Sequence, residues 1–481
     1  MPTRTPLPAP PPLTFYGGLA GALAPFAAFL GGVVWLAARG APDEKGFWPI
    51  LLGALILGLL LATDRERYAN AMLDGMSERV VMVMLCAWLF AGVMGAVLSA
   101  GGLVTGLAWL ARTIGLGGGA YVAATFLTTA IVSTATGTSF GTILLCGPIL
   151  YPAGGAAGAM PAALMGAVLA GATFGDSMSP VSDTTIASSG SQRVDIGGTV
   201  RSRLKYALPA GLAALVASAL LGGGGPVTDV VAANTSGTSD AAGASPTGLV
   251  LLVSPALVIV MLLRRTHLIT ALLTGVATAV LTALALQLVT PYDLLHVAPG
   301  TFGATGVLVD GMQRAIGVSV FTLLLVALVG TLQATDVLDR LVAASRRRAH
   351  SVRAAEGWMV GVVSAAVLLT THSVVAILAV GEFARQTGER FGIDGYRRAN
   401  LLDLTVCTWP FLLPYFLPTI LTASASRSGE AFGMPPLSAA TVGVYNSYAW
   451  ALVLMVLFAV ITGYGRSRPA SLPPDRQSEP V

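Results

Sequence analysis

Apolar runs follow one another along the whole chain, and a polypeptide patterned in this way has few folds open to it. Ten of them (residues 17–38, 47–63, 80–99, 161–174, 207–222, 247–263, 267–289, 316–333, 401–423 and 439–463) are largely uninterrupted, and two more, 119–150 and 357–381, are broken by polar residues. Most reach 17 residues or more, enough for a helix to cross the hydrocarbon core of a bilayer. In lipid every backbone N–H and C=O must be satisfied within the protein, so serial runs of this length mean helices. Charge content points the same way. Asp, Glu, Lys and Arg are 10% of the 481 residues, against about 25% in a soluble domain. The expectation is an all-α polytopic membrane protein.

Several classes fall away. Three cysteines (Cys86, Cys146, Cys407), all in apolar runs and without CxxC spacing, do not make a secreted disulfide scaffold. The formal net charge of +4 comes from short Arg-rich loops, which a cytoplasmic-face bias explains better than a nucleic-acid groove, so no nucleic-acid partner is expected. The Pro-rich residues 1–12 do not read as a cleavable signal. No GxxxxGK[ST] phosphate loop and no His/Cys metal cluster occur in the sequence, so neither ATP driving nor a resident cofactor is expected.

Orientation follows from the basic residues. With a cytoplasmic N-terminus and each interrupted stretch entering and leaving on one side, 22 of the 27 Lys and Arg fall inside; only Arg39, Lys45, Arg112, Arg314 and Arg427 fall outside. Full crossings in place of the hairpins would move the Arg193–Lys205 cluster outside, against the positive-inside rule. The reading is therefore about ten spanning helices plus two re-entrant hairpins, multi-pass in the cell inner (plasma) membrane, with both termini cytoplasmic. Along the chain it divides into a disordered N-terminal tail (1–16), N-terminal membrane helices (17–63), a first membrane repeat (64–222), a flexible extracytoplasmic linker (223–246), connecting helices (247–299), a second repeat (300–463) and a disordered cytoplasmic tail (464–481).

Two landmarks support the repeat. Leu73-Asp74-Gly75-Met76 and Val309-Asp310-Gly311-Met312 are 236 residues apart, and at the same offset Thr134-Ala135-Thr136-Gly137 matches Thr370-Thr371-His372-Ser373. Asp74 and Asp310 read as helix N-caps. With the charge count, the halves run in opposite directions: two inverted-topology repeats with broken helices at the midplane, the plan of alternating-access carriers.

The segment richest in chemistry is Gly175-Asp176-Ser177-Met178-Ser179-Pro180-Val181-Ser182-Asp183-Thr184-Thr185-Ile186. An intramembrane carboxylate costs roughly 3 kcal/mol or more, and Pro180 removes a backbone donor. An unwound stretch here would join carboxylates, hydroxyls and freed carbonyls in a hard oxygen cage suited to Na⁺ or H⁺; the alternative is an ordinary polar loop after a helix. Thr136, Thr138 and Ser139 sit mid-way in 119–150, where a re-entrant tip belongs, or else back-bond within a continuous helix. Thr371 and His372 form the matching tip, His372 being either a titrating group or a packing residue. Asp403 and Thr408 open the Pro-broken run 401–423; Asp403 either serves the site or pairs with Arg397 or Arg398.

The pair Thr136-Gly137-Thr138-Ser139-Phe140-Gly141-Thr142 and Gly175-Asp176-Ser177-Met178-Ser179-Pro180-Val181-Ser182-Asp183-Thr184-Thr185 resembles the signature of the NhaC family of sodium/proton antiporters, within the ion-transporter superfamily. The resemblance implies a secondary carrier with inverted repeats and two hairpins, Na⁺ and H⁺ as cargo, and a homodimer. It implies that Asp176 and Asp183, with nearby Ser and Thr, serve the ion site. The second half departs from the family pattern: Leu404-Thr405-Val406 and Trp409-Pro410 stand where small polar residues are usual.

The leading function is Na⁺/H⁺ antiport, exporting Na⁺ in exchange for H⁺ by alternating access. Asp176 is the principal carrier and Asp183 its partner, with Thr136, Thr138, Ser139, Ser179 and Thr184 as neutral oxygens. The alternative is a Na⁺- or H⁺-coupled carrier or exchanger of a small organic anion or amino acid. An intramembrane aspartyl protease is disfavoured, because Phe174-Gly175-Asp176 lacks the Gly-x-Gly-Asp pattern.

Overall fold

The computed structural model describes residues 12–39, 44–224, 246–264, 266–297, 303–345 and 350–466, and these are almost entirely helical. Among the described residues nine helices are long and apolar enough to cross a membrane, and the protein is an all-α polytopic membrane protein. Its helices are α1 (Leu19–Ala38), α2 (Phe47–Leu61), α3 (Arg65–Met76), α4 (Arg79–Ala100), α5 (Leu103–Thr113), α6 (Gly118–Thr136), α7 (Ser139–Ala156), α8 (Pro161–Met178), α9 (Asp183–Ser191) and α10 (Ile196–Leu221). There follow α11 (Val253–Leu263), α12 (Leu268–Ala285), the single turn α13 (Pro291–Leu294), α14 (Val307–Gln333), α15 (Val337–Ser345), α16 (Val352–Thr370), α17 (Ser373–Arg390), α18 (Gly395–Val406), α19 (Leu417–Ser426), α20 (Ala439–Val444) and α21 (Ser447–Thr462). A two-residue antiparallel ladder pairs His296 with Thr305.

The element order of α4–α10 recurs from α14 to α21, with the short α20 as an additional element before the last helix. An apolar helix is followed by a short amphipathic one (α5, α15), a pair of helices joined at a tight break (α6–α7, α16–α17), a helix broken near its end (α8–α9, α18–α19), and a closing helix (α10, α21). The paired helices have matching lengths: α6 and α16 have 19 residues each, α7 and α17 have 18 each. Their breaks share one backbone solution. Gly137 (φ 71) and Thr371 (φ 51) are left-handed C-caps, followed by the extended Thr138 (φ −140, ψ 117) and His372 (φ −130, ψ 115), which precede the next helix. Aligned in this way the tips lie 234 residues apart, not 236, so Thr136 matches Thr370 and Ser139 matches Ser373. The Asp-Gly-Met landmarks do not correspond: Asp74 lies in the last turn of α3, and Asp310 in the first turn of α14. The cap at the start of α3 is Asp64, which accepts from Arg67 N at 3.0 Å.

Four expected spans differ. The runs 207–222 and 316–333 belong to longer helices, α10 with 26 residues and α14 with 27. Helix α10 starts early because Asp195 caps it, accepting from Gly198 N at 2.5 Å. The run 401–423 is not one crossing; α18 ends at Val406, a short 3₁₀ turn (Trp409–Phe411) follows, and α19 begins only at Leu417, since Pro410, Pro414 and Pro418 withhold backbone donors. The run 439–463 is divided at Tyr445-Asn446, where Asn446 caps α21.

Of the N-terminal segment 1–16, residues 12–16 are described and packed. Leu13 N donates to Ala334 O, and Tyr16 N to Leu61 O, both at 2.8 Å. Residues 12–16 therefore do not belong to a disordered tail, and residues 1–11 lie outside the described residues. The linker 223–246, apart from Gly223, Gly224 and Pro246, and the tail beyond Arg466 lie outside the described residues.

Candidate functional site

Helix α8 carries almost nothing but buried small and apolar side chains up to Met178. Pro180 cannot continue its hydrogen-bond ladder, so the chain leaves the helix at Ser179 and resumes at Asp183. Asp176 is thereby held in the last turn of α8, only 9% exposed. Its carboxylate accepts from two hydroxyls: Ser182 Oγ to Oδ1 at 2.7 Å, and Ser139 Oγ to Oδ2 at 2.9 Å. Ser182 is also the N-cap residue of α9, yet makes no side-chain cap bond; its hydroxyl is turned to Asp176 and, at 3.1 Å, to Thr184 Oγ1.

Ser139 arrives from the α6–α7 break. Thr138 caps α7 by accepting from Gly141 N at 3.2 Å. Gly137 supplies the left-handed turn and lets the tip rest on the unwound segment, where a Cβ would stand 2.6 Å from Val181 Cγ2. Helices α6 and α8 lie equally close: a Cβ on Gly175 would meet Ser133 Cβ at 2.4 Å, and Ser133 Oγ donates to Ala172 O at 2.7 Å. The two polar segments read from the sequence thus form one site, and irregular backbone occurs where it faces a cavity.

That cavity measures about 230 Å³, room for several waters. The α6–α7 break and the α8–α9 break give it Thr138, Ser139, Asp176, Ser182, Asp183 and Thr184; the α16–α17 break gives Thr371, His372 and Ser373; Met84, Trp88, Phe140 and Phe411 form apolar wall. Asp183, the first residue of α9, is exposed. His372 Nδ1 is buried without a hydrogen-bond partner among the described residues. Among the described residues no Lys or Arg lines the cavity.

Other predicted residues lie off its wall. Thr136 Oγ1 donates back to Val132 O at 2.8 Å, and Thr408 Oγ1 to Thr405 O at 2.6 Å. Ser179 Oγ accepts from Val181 N at 3.3 Å within the break. Asp403 is fully buried and forms an ion pair, but with neither Arg397 nor Arg398, the partners that the alternative to a site role named. Its partner is Arg203 of α10, also fully buried. Thr185 and Ser188 each donate to Asp403 Oδ2 at 3.2 Å. Arg397 instead reaches Glu356 at 3.1 Å, and Arg398 reaches Gln192 at 2.9 Å.

Sequence reasoning missed Arg203 because it sits among Arg201, Lys205 and other residues that read as a cytoplasmic loop. A signal was present. Thr199, Arg203, Ala207, Ala210 and Ala214 recur at three- and four-residue spacing, and all are buried, the mark of one helix face. Among the described residues no group of three or more His, Cys, Asp or Glu could hold a metal ion.

Two broken helices and two hairpin tips thus surround one cavity walled by carboxylate and hydroxyl groups. The chain's resemblance to the NhaC sodium/proton antiporters is borne out: residues 21–222 match the model of the Na⁺/H⁺ antiporter family. The chain is 32% identical over 162 residues to the malate-2H⁺/Na⁺-lactate antiporter of Bacillus subtilis (strain 168), covering 33% of each protein. It is 29% identical over 237 residues to the Na⁺/H⁺ antiporter NhaC of Alkalihalophilus pseudofirmus, covering 47% of this chain and 48% of that one. A longer, weaker likeness, 24% over 445 residues and 86% of each chain, joins it to the arginine/ornithine antiporter ArcD of Halobacterium salinarum. The match spans a third of the first of these relatives and about half of the second.

Proposed function

We propose that the protein is a Na⁺/H⁺ antiporter of the cell inner membrane, with cytoplasmic termini, that exports Na⁺ in exchange for H⁺. The observation that carries this reading is the Asp176 carboxylate, held by Ser139 and Ser182 on the wall of a cavity where a broken helix meets a hairpin tip. A carboxylate surrounded by hydroxyl oxygens suits a hard monovalent cation. Na⁺ and H⁺ compete for it, because protonation removes the charge that holds Na⁺. Asp176 is the exchanging group. Ser139, Ser182 and Thr184 supply neutral oxygens, Asp183 adds negative charge at the wall, and Thr138, Thr371 and His372 complete the lining. Thr136, Ser179 and Thr408 serve local structure. Alternating access exposes the cavity to one side and then the other as the repeats move.

The test is Na⁺-dependent proton movement in everted vesicles, followed with a pH-sensitive dye. The wild type responds to Na⁺ and Asp176→Asn does not; a response surviving in Asp176→Asn overturns the role of Asp176.

A second reading, a cation-coupled carrier of a small organic solute, is favoured by cavity size, since about 230 Å³ exceeds the need of a bare ion. The absence of Lys and Arg among the described residues of the wall weighs against an anion. Uptake of labelled carboxylates and amino acids by proteoliposomes, with and without a Na⁺ gradient, separates the two.

A further inference from the structure

Each repeat ends a broken helix on an aspartate that accepts two hydroxyls: Asp176 in the last turn of α8, and Asp403 in the last turn of α18. Asp176 takes Ser139 and Ser182; Asp403 takes Thr185 and Ser188. The two sites differ in what else they hold. Asp176 faces the cavity, whereas Asp403 faces the guanidinium of Arg203.

The contacts of that guanidinium are all with oxygen. Nε donates to Asn400 Oδ1 at 2.9 Å, one terminal nitrogen donates to Thr185 Oγ1 at 2.9 Å and to the Ser177 carbonyl, and the other pairs with Asp403 Oδ2. Without the guanidinium, one carboxylate, one hydroxyl, one amide oxygen and one backbone carbonyl would surround a space, the donor set a hard cation takes. Both repeats contribute, since Ser177 and Thr185 flank the first break while Asn400 and Asp403 belong to α18. The set also lies beside the cavity: Cys407, whose Sγ is 3.7 Å from Asp403 Oδ1, lines the cavity wall.

We propose that Arg203 is a tethered cation filling a second cation site, the counterpart of the Asp176 site, so that of these two helix-end aspartates only Asp176 is open to exchangeable cargo. The inference rests on the reading of Asp176 as the Na⁺ site. Arginine suits the task because it stays protonated throughout the physiological range and matches a carboxylate in geometry, and covalent attachment keeps its local concentration beyond what a diffusing ion can match. The cation count per cycle is thereby fixed by sequence.

The experiment is equilibrium binding of radiolabelled Na⁺ to the purified full-length protein. Wild type binds about one Na⁺ per chain, and Asp176→Asn abolishes binding. Arg203→Gln binds about two, and one persists in Arg203→Gln/Asp176→Asn. Arg203→Gln/Asp403→Asn returns to about one, still dependent on Asp176. Folded Arg203→Gln with unchanged stoichiometry, or no binding in Arg203→Gln/Asp176→Asn, overturns the inference and leaves the Asp176 reading intact. If Arg203→Gln alone fails to fold, the charge-neutral double variant decides: retained Asp176-dependent binding supports the inference, and its loss in a protein with a native melting transition makes Asp403 a cargo ligand and overturns it. Wild type without Na⁺ binding overturns both.

Discussion

Ser139 and Asp176 meet across two separate interruptions of helix: the hydroxyl at the first position of α7 donates to Oδ2 of the carboxylate in the last turn of α8, at 2.9 Å. The bond ties the hairpin tip to the broken helix, so the oxygen cage exists only while the two breaks stay in contact. A hydrogen bond to a charged group contributes about 1.5–3 kcal/mol, roughly tenfold or more in affinity. Ser139→Ala should therefore raise the Na⁺ concentration for half-maximal dye response at least about tenfold. Ser182→Ala should act similarly, and the double variant should deviate from additivity, because both hydroxyls act on one carboxylate. Unchanged Na⁺ dependence in Ser139→Ala would remove the tip from the site.

A second cluster joins α10, α16 and α18 to the end of the chain's described part. Glu356 on α16 is fully buried and accepts from Arg397 at 3.1 Å and from Arg466 at 2.7 Å. Arg397 also donates to Tyr206 Oη at 2.5 Å and to Tyr464 O at 2.7 Å. Glu356→Gln keeps the shape and removes the charge, leaving Arg397, 2% exposed in its side chain, without a counter-ion. The expected loss is about 3–5 kcal/mol. Arg466→Ala should cost about 1 kcal/mol or less, since its side chain is 27% exposed and the Glu356–Arg397 pair survives. Denaturation midpoints in detergent for the two variants check the order.

Much of this site was legible in the sequence, and the boundary has physical causes. Pro180 and Gly137 are local punctuation: one lacks a donor and the other takes a left-handed turn, so both first-repeat breaks could be read from single residues. The second tip could not be read in that way. Thr371 adopts φ 51 without being glycine, and only its likeness to Gly137 places it. The Arg203–Asp403 pair joins residues 200 positions apart, and no local pattern encodes such a contact. A basic cluster also reads as loop until the small residues of Ala207, Ala210 and Ala214 extend its helix backward. The 401–423 run failed as a single span because its prolines were counted as interruptions of one helix, whereas they separate two.

Asp195 offers a handle on pH. It caps α10, and Tyr396 at the start of α18 donates its hydroxyl to Oδ1. That bond, followed by the one from Gly198 N, holds the Asp195 carboxyl below its ordinary range. A depressed folded-state value means that the contribution to stability is fully present above the ordinary aspartate pKa of about 3.9 and is lost as pH falls from there through the lower folded-state value. Tyr396→Phe removes the first cause. The difference in melting temperature between wild type and Tyr396→Phe should be constant from neutral pH down to about pH 5 and shrink below about pH 4. A difference that grows with acid contradicts the assignment.

Gly137 combines two demands that one substitution can separate. Its φ of 71 costs any residue with a Cβ about 1–2 kcal/mol, and a Cβ there would also lie 2.6 Å from Val181 Cγ2, pressing the hairpin tip away from the unwound segment. Gly137→Ala should therefore lower stability by about 1–2 kcal/mol and also weaken Na⁺-dependent proton movement, because Ser139 rides on that tip. Adding Val181→Ala frees the space without changing the backbone demand. If contact between the breaks is what builds the site, the double variant regains transport while keeping the loss in stability. Recovery of stability without recovery of transport would show that the strain, and not the spacing of the two breaks, is what Gly137 relieves.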